Sequence, residues 1–184
     1  MIPCSDGAGE ILEIGPDVSQ FSVGDRVMTS FAPQWIDGEA THSELRSTLG
    51  GPLPGTLREL GLFSESALVK IPDYLSWEEA ATLPCAGVTA WSSLVRLGEI
   101  RPGQVVLTQG TGGVSLFALQ IAKIVEAKVV LTTGSEEKEA KAKALGADLT
   151  INYRTSPGWG NLAREYTGKR GVDHVIEVGG AGTL

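Results

Sequence analysis

Cysteine is scarce in this sequence. Cys4 and Cys85 are the two among 184 residues, too few for a disulfide framework, and a reduced, cytoplasmic setting is expected. Histidine is as rare: His42 and His174 stand alone, the first in an expected loop and the second in an expected strand. Neither marks a catalytic or metal-binding cluster. Positive charge is not concentrated either. The net charge is −7 and no run of Lys or Arg occurs, which argues against nucleic acid and anionic membranes as partners. No apolar stretch reaches the length of a membrane span. The opening MIPCSDGAGE has neither the charged nor the apolar region of a signal peptide. Internal repeats and low-complexity segments are absent as well.

What is present suffices for a folded core. Hydrophobic residues make up 42% and charged residues 20%, ordinary for a soluble domain, and the length allows one large domain or two small ones. Composition changes near residue 76. Before it, β-like runs (GAGEILEIG, GPDVSQFSVGD, RVMTSF, SALVKIP) alternate with turn residues, and Ile11, Ile14, Val27 and Val69 lie in such runs. Ala32 to Gly55 reads as a long surface loop. From Ser76 the pattern turns helical. Ser76 and Glu79 form a capping-box signature; Pro84 is expected to interrupt, with a second helix from Ala86 to Leu97 ending at Gly98. Beyond Pro102-Gly103, four expected strands alternate with helices: 104–108, 128–132, 148–153 and 172–178. Such alternation predicts βαβ units and a parallel sheet. The helix 114–125 is apolar over most of its surface and is expected to be buried. The next, capped by Ser135 and ended by Gly146, is polar, with Glu137–Lys141 and Glu139–Lys143 at i,i+4.

The stretch VVLTQGTGGVSLFALQIAK, from Val105 to Lys123, reads as strand, glycine turn and helix. It nearly completes the dinucleotide fingerprint G-x-G-x-x-G, with Gly110 and Gly112 in place and Ser115 at the third glycine. Gly110 permits the tight bend. Gly112 lets backbone N–H groups approach a pyrophosphate at the helix N-terminus. Ser115 adds bulk where helix packs on strand, so a small displacement and no loss of the site is expected. An ordinary βα turn is the alternative for the same residues. The second strand runs into Thr132-Thr133-Gly134-Ser135, without the carboxylate that holds the ribose of NAD. Ser135 and Lys138 nearby favour NADP(H) over NAD(H), although Lys138 also reads as a solvated helix lysine.

Taken together and in order, GAGEILEIG with VGDRV, EEAATLPCAGVTAW, IRPGQVVLTQGTGGVSLFALQIAK, KALGADLTINYRT and RGVDHVIEVGG resemble the medium-chain dehydrogenase/reductase superfamily. The resemblance is strongest to its zinc-independent alcohol dehydrogenase-like and quinone oxidoreductase-like branches. It implies an α/β chain: a partial GroES-like β domain over residues 1–75, then a truncated Rossmann domain over 76–184, cut short at both ends relative to the family. It further implies hydride transfer between NADPH and a carbonyl, alcohol or activated alkene, as a small-molecule substrate held between the two domains. Carried over residue by residue, it puts Gly110, Thr111, Gly112, Gly113 and Val114 on the pyrophosphate and Ser135, Lys138 and Tyr153 on the 2′-phosphate. Thr89 falls toward the nicotinamide, and Gly179 lines the cofactor after the fourth strand.

The departures bear on metal and catalysis. Where zinc-dependent members carry His-Glu, this chain has Ser5 and Asp6. Cys85 falls at a zinc-cysteine position but stands alone and is expected as a small buried hydrophobe, and the loop 32–55 has no cysteine. No zinc is expected. No catalytic residue is assigned, since nothing places Ser5, Asp6 or Tyr153 against a nicotinamide. The alternative function is a truncated relative without redox activity: a pseudoenzyme, a small-molecule binder or a repurposed cyclase. The apolar strand 172–178 would leave an open edge, so a homodimer, or an aggregate, formed partly through that edge is expected.

Overall fold

A computed structural model describes residues 1–181. The chain separates into two compact units that divide between Cys85 and Ala86.

In the first unit, three short strands form an antiparallel sheet: β1 (Ala8–Glu10), β2 (Arg26–Thr29) and β3 (Leu68–Lys70), with β2 in the middle. The register sets Gly9 opposite Val27 and Met28 opposite Val69. Side chains alternate along β2, so Val27 and Thr29 are buried while Arg26 and Met28 lie nearer the surface. A turn closed by the Asp25 carboxylate, which accepts the Ser22 N–H at 2.8 Å, leads into β2. Of the expected β-like runs, GPDVSQFSVGD forms no strand and Ile14 and Val69 are exposed; three strands alone do not enclose both faces of a sheet. The expected loop 32–55 contains a one-turn helix, α1 (His42–Leu45), closed by a Thr41–Glu44 capping box. His42 therefore sits on a helix and not in a loop. Thr41-x-x-Glu44 carries the same signature as Ser76-x-x-Glu79, hidden amid glycine and proline.

The capping box at Ser76 forms as expected and starts α2 (Trp77–Ala80): the Ser76 hydroxyl accepts the Glu79 N–H, and the Glu79 carboxylate accepts the Ser76 N–H. Arg26 places its guanidinium 4.2 Å from the centre of the Trp77 ring and donates to the Leu75 carbonyl. Pro84 does not interrupt the helical run, which extends from Leu83 to Leu97 with α3 (Val88–Trp91) between two stretches of wider, i to i+5 turns. Pro84 lies in its first turn, where a backbone N–H has no intrahelical acceptor to lose.

The second unit carries a parallel sheet of β4 (Val105–Gln109), β5 (Lys128–Thr133), β6 (Leu149–Asn152) and β7 (His174–Ile176), in the order β6-β5-β4-β7. This is the order third, second, first, fourth that the family resemblance implies for a truncated Rossmann sheet. Val105 to Thr108 on β4 are all buried, as befits a strand covered on both faces. On one face α4 (Gly113–Ile124) and α5 (Glu136–Ala144) bring Leu119 and Ala142 against Val106 and Leu131. On the other, α6 (Trp159–Tyr166) brings Ala163 against Val105, Val130 and Ile151. Full burial of side chains such as Leu119 and Leu131 contributes about 1.5–3 kcal/mol each. The buried stripe of α4 is Ser115, Ala118, Leu119 and Ala122. Ile124, at its end, is 81% exposed, so the helix is not enclosed all round.

Two expected details differ. The Glu137–Lys141 pair forms at 2.6 Å, but Glu139–Lys143 is not among the ion pairs of the described residues. β7 is shorter than 172–178, because Asp173 turns its carboxylate onto the Val105 N–H at 2.8 Å and Gly179 and Gly180 fold back onto the Glu177 carboxylate.

Candidate functional site

A parallel sheet delivers every strand to one edge, and the register fixes which residues arrive together. Gln109 lies opposite Thr132, Thr133 opposite Asn152, and Thr108 opposite Ile176. The residues just past these positions are the glycine turn after β4, Gly134 and Ser135 after β5, Tyr153 after β6, and Gly179 after β7. Topology alone thus gathers the expected pyrophosphate, 2′-phosphate and lining residues along one edge.

The glycine turn is held from the neighbouring strand. The Gly110 N–H donates to the Thr132 carbonyl at 2.9 Å and approaches the Thr132 hydroxyl at 3.3 Å. Gly110 has φ +89, a left-handed conformation that glycine adopts without strain. Gly112 is the N-cap of α4 and has ordinary φ −75, and no side chain caps the helix. The N–H groups of Gly113, Val114 and Ser115, which have no acceptor within the helix, therefore face outward with the positive end of the helix dipole. A methyl group built at Gly110 or Gly112 would meet nothing within 4 Å. The glycines leave open space beside uncapped donors, and those donors fit a pyrophosphate. At Gly113 the same methyl would stand 3.2 Å from the Ala86 side chain, so this glycine serves helix packing. Ser115 is buried, and its hydroxyl donates to the Gln109 carbonyl at 3.2 Å.

At the end of β5, Ser135 caps α5 by accepting the Lys138 N–H at 3.4 Å. Lys138 is exposed, as its reading as a solvated lysine also requires. Tyr153 donates its N–H to the Thr133 carbonyl at 3.0 Å and carries its hydroxyl over Gly134, where an added methyl would come within 2.6 Å of it. Arg154 lies over the same glycine, its Nε 2.9 Å from that methyl position. Arg154 is not among the residues expected at this corner. The signal was available: a cation directly after Tyr153, at the end of the strand that lies beside β5.

Thr89, on α3, lines a cleft of about 310 Å³ with Ser93, Val114, His174, Ile176 and Val178. The structure so brings Thr89 to the same hollow as Val114, at the flank of β7. Gly179 lies beyond β7, and its N–H is engaged by Glu177.

Ser5 and Asp6 form a different constellation in the first unit. The Ser5 hydroxyl donates to one Asp6 carboxylate oxygen at 2.5 Å, and the other accepts the Cys85 N–H at 2.9 Å. Asp6 thus holds the start of the helical run. Cys85 is partly exposed and not the buried hydrophobe expected of it, since it lies in the outer turn that Asp6 caps. Among the described residues, no three His, Cys, Asp or Glu side chains converge to hold a metal. No helix among the described residues is long and apolar enough to cross a membrane. A hollow of about 450 Å³ beside β1 contains none of the expected site residues; Arg58 lines it, its Nε buried without a partner and its guanidinium 5.1 Å from the Phe63 ring centre.

Comparison with known proteins bears on the fold and the family. Residues 1–73 match the alcohol dehydrogenase GroES-like domain, and residues 113–184 match the zinc-binding dehydrogenase domain. A zinc-type alcohol dehydrogenase-like protein of Schizosaccharomyces pombe is 47% identical over 186 residues, covering 100% of this chain and 54% of that protein. The crystal structure of an NAD-dependent alcohol dehydrogenase superposes with a TM-score of 0.85 at 38% identity, over 98% of this chain and 54% of that one. A quinone oxidoreductase from Pseudomonas syringae pv. tomato gives a TM-score of 0.80 at 32% identity, over 99% of this chain and 50% of that one. The chain spans about half the length of the relatives it matches.

Proposed function

The chain belongs to the medium-chain dehydrogenase/reductase family of zinc-type alcohol dehydrogenases and quinone oxidoreductases, and we propose that it binds NADP(H) and acts as an oxidoreductase on a small carbonyl, alcohol or activated alkene. The observation that carries this reading is the uncapped N-terminus of α4 beside the open space at Gly110 and Gly112. Those N–H groups would hold the pyrophosphate, with Thr111 and Val114 beside it. Ser135, Lys138 and Tyr153 would take the 2′-phosphate, Gly179 would line the cofactor, and Thr89 would face its nicotinamide side. When bound, NADPH supplies a hydride; the chain's own part is to bind and orient it.

Preference for NADPH over NADH rests on the end of β5, where Thr133-Gly134-Ser135 offers no carboxylate to repel a 2′-phosphate. One of the similar structures is named NAD-dependent, so the fold by itself does not select NADPH and the proposed preference rests on side chains at this edge. Zinc-independence is proposed on the donor set: Ser5 is a poor ligand, and both Asp6 oxygens are engaged.

Fluorescence titration with NADPH and NADH tests the reading. NADPH is expected to bind and to bind more tightly. Equal affinities would remove the NADP preference, and no binding of either would favour a small-molecule binder without redox chemistry. Self-association is proposed through β7, which pairs only with β4 among the described residues and exposes half of Val175. Light scattering should then show a dimer that Val175→Lys weakens; a monomer at high concentration would refute it.

A further inference from the structure

Charge around the end of β5 points to a residue beyond Ser135, Lys138 and Tyr153. The first turn of α5 carries Glu136, Glu137 and Glu139 around Lys138. Glu137 pairs with Lys141 at 2.6 Å, which leaves two carboxylates flanking one lysine. A phosphate monoester brings a charge of about −1.5 to −2. Lys138 alone does not make this corner attractive to it.

We propose that Arg154 determines the choice of NADPH over NADH, and that Gly134 is glycine so that Arg154 and Tyr153 can lie across the end of β5. The inference rests on the NADP(H) reading above and deepens it. Arg154 takes part in none of the ion pairs found among the described residues. Its backbone is fixed by Asn152. The Asn152 side-chain oxygen accepts the Arg154 N–H at 3.0 Å, and the Asn152 carbonyl accepts the Ser156 N–H at 2.9 Å and the Thr155 hydroxyl at 3.3 Å. Such an Asx turn sets the direction in which the residue leaves the strand. The preceding Tyr153 is tied to Thr133 at 3.0 Å, so the pair is held against β5 and not left to a free loop.

Gly134 completes the arrangement. A methyl there would stand 2.6 Å from the Tyr153 hydroxyl and 2.9 Å from Arg154 Nε. Both are the far ends of exposed side chains, which would swing into solvent and leave the fold intact. An alanine at this position is therefore expected to act on ligand choice and hardly on stability. The guanidinium is suited to the task, because its planar fork donates two parallel hydrogen bonds to a phosphate, whereas an ammonium acts as a point charge.

The test uses the adenosine half of the coenzyme: calorimetric titration of the 184-residue chain with 2′,5′-ADP and with 5′-AMP, for the parent, Arg154→Gln and Gly134→Ala. The parent is expected to prefer 2′,5′-ADP. Arg154→Gln should lower that preference about tenfold or more, as loss of a charge-assisted hydrogen bond does, while 5′-AMP affinity stays within about twofold. Gly134→Ala should change the preference in the same direction, with an unchanged melting temperature. If the parent prefers 2′,5′-ADP and Arg154→Gln keeps the preference, or weakens both ligands equally, the role of Arg154 is refuted and the NADP(H) reading stands. A parent that binds neither ligand, or both equally, overturns that reading and this inference with it.

Discussion

Ser115 donates its hydroxyl to the carbonyl oxygen of Gln109, tying the first turn of α4 to the last residue of β4 across 3.2 Å. The residue in the place of the third glycine thus fastens the turn from inside. Ser115→Gly removes the bond and is expected to cost about 0.5–1.5 kcal/mol, with NADPH affinity within a few-fold of the parent. Ser115→Leu overpacks a buried contact and should cost about 1–3 kcal/mol. Thermal melts and coenzyme titration separate the two effects. Complete loss of binding in Ser115→Gly would mean that the hydroxyl itself touches the ligand.

The two glycines of the turn should respond differently to the same substitution. Gly110→Ala forces a side chain into φ +89 and should cost about 1–2 kcal/mol. Gly112→Ala meets open space at an ordinary φ, so the melting temperature should hardly move while NADPH binding falls. A Gly112→Ala chain that binds NADPH like the parent would show that the pyrophosphate lies elsewhere.

Acid sensitivity is expected from Asp173. The Arg170 guanidinium, 2.5 Å away, and the Val105 N–H hold its carboxyl at about 2, below the usual 3.8. A carboxylate lowered in the folded state stabilises the fold above its ordinary value. That contribution fades as the pH falls from 3.8 toward 2. Asp173→Ala leaves the Val105 N–H unpaired and should cost about 1–3 kcal/mol at neutral pH, while flattening the loss of stability below pH 3.8. Urea midpoints measured across that range check both the size and the sign.

Much of the second unit was legible because its signals are local and repeated. β-Branched runs, glycine turns and a serine cap at 135 come one after another at βαβ spacing, and strands spaced by helices make a parallel sheet. The first unit was harder to read. Its strands are only 3–4 residues long, so alternation has no length over which to show itself, and turn-rich sequence hid the capping box at Thr41. Pro84 misled because a proline in a first turn and a proline that ends a helix look alike without the helix boundary. Arg154 escaped notice for another reason. A cation after Tyr153 is visible in the sequence, but its position over Gly134 follows only once β6 is set beside β5.

Metal content offers an independent check on the site. Protein purified without added metal is expected to hold no stoichiometric zinc, since Asp6 accepts the Ser5 hydroxyl on one oxygen and the Cys85 N–H on the other. One tightly held zinc per chain by elemental analysis would show that Cys85 takes part in a site with ligands not recognised above.

The close fit of Tyr153 and Arg154 over Gly134 also bears on how such a chain would change over generations. Three positions from two different strand ends are then expected to behave as one inherited trait: an enlarged position 134 would evict the side chains at 153 and 154 in the same step. Among relatives, substitutions at these positions should therefore travel together, and a lineage that trades one coenzyme for the other should be recognisable by all three changing at once.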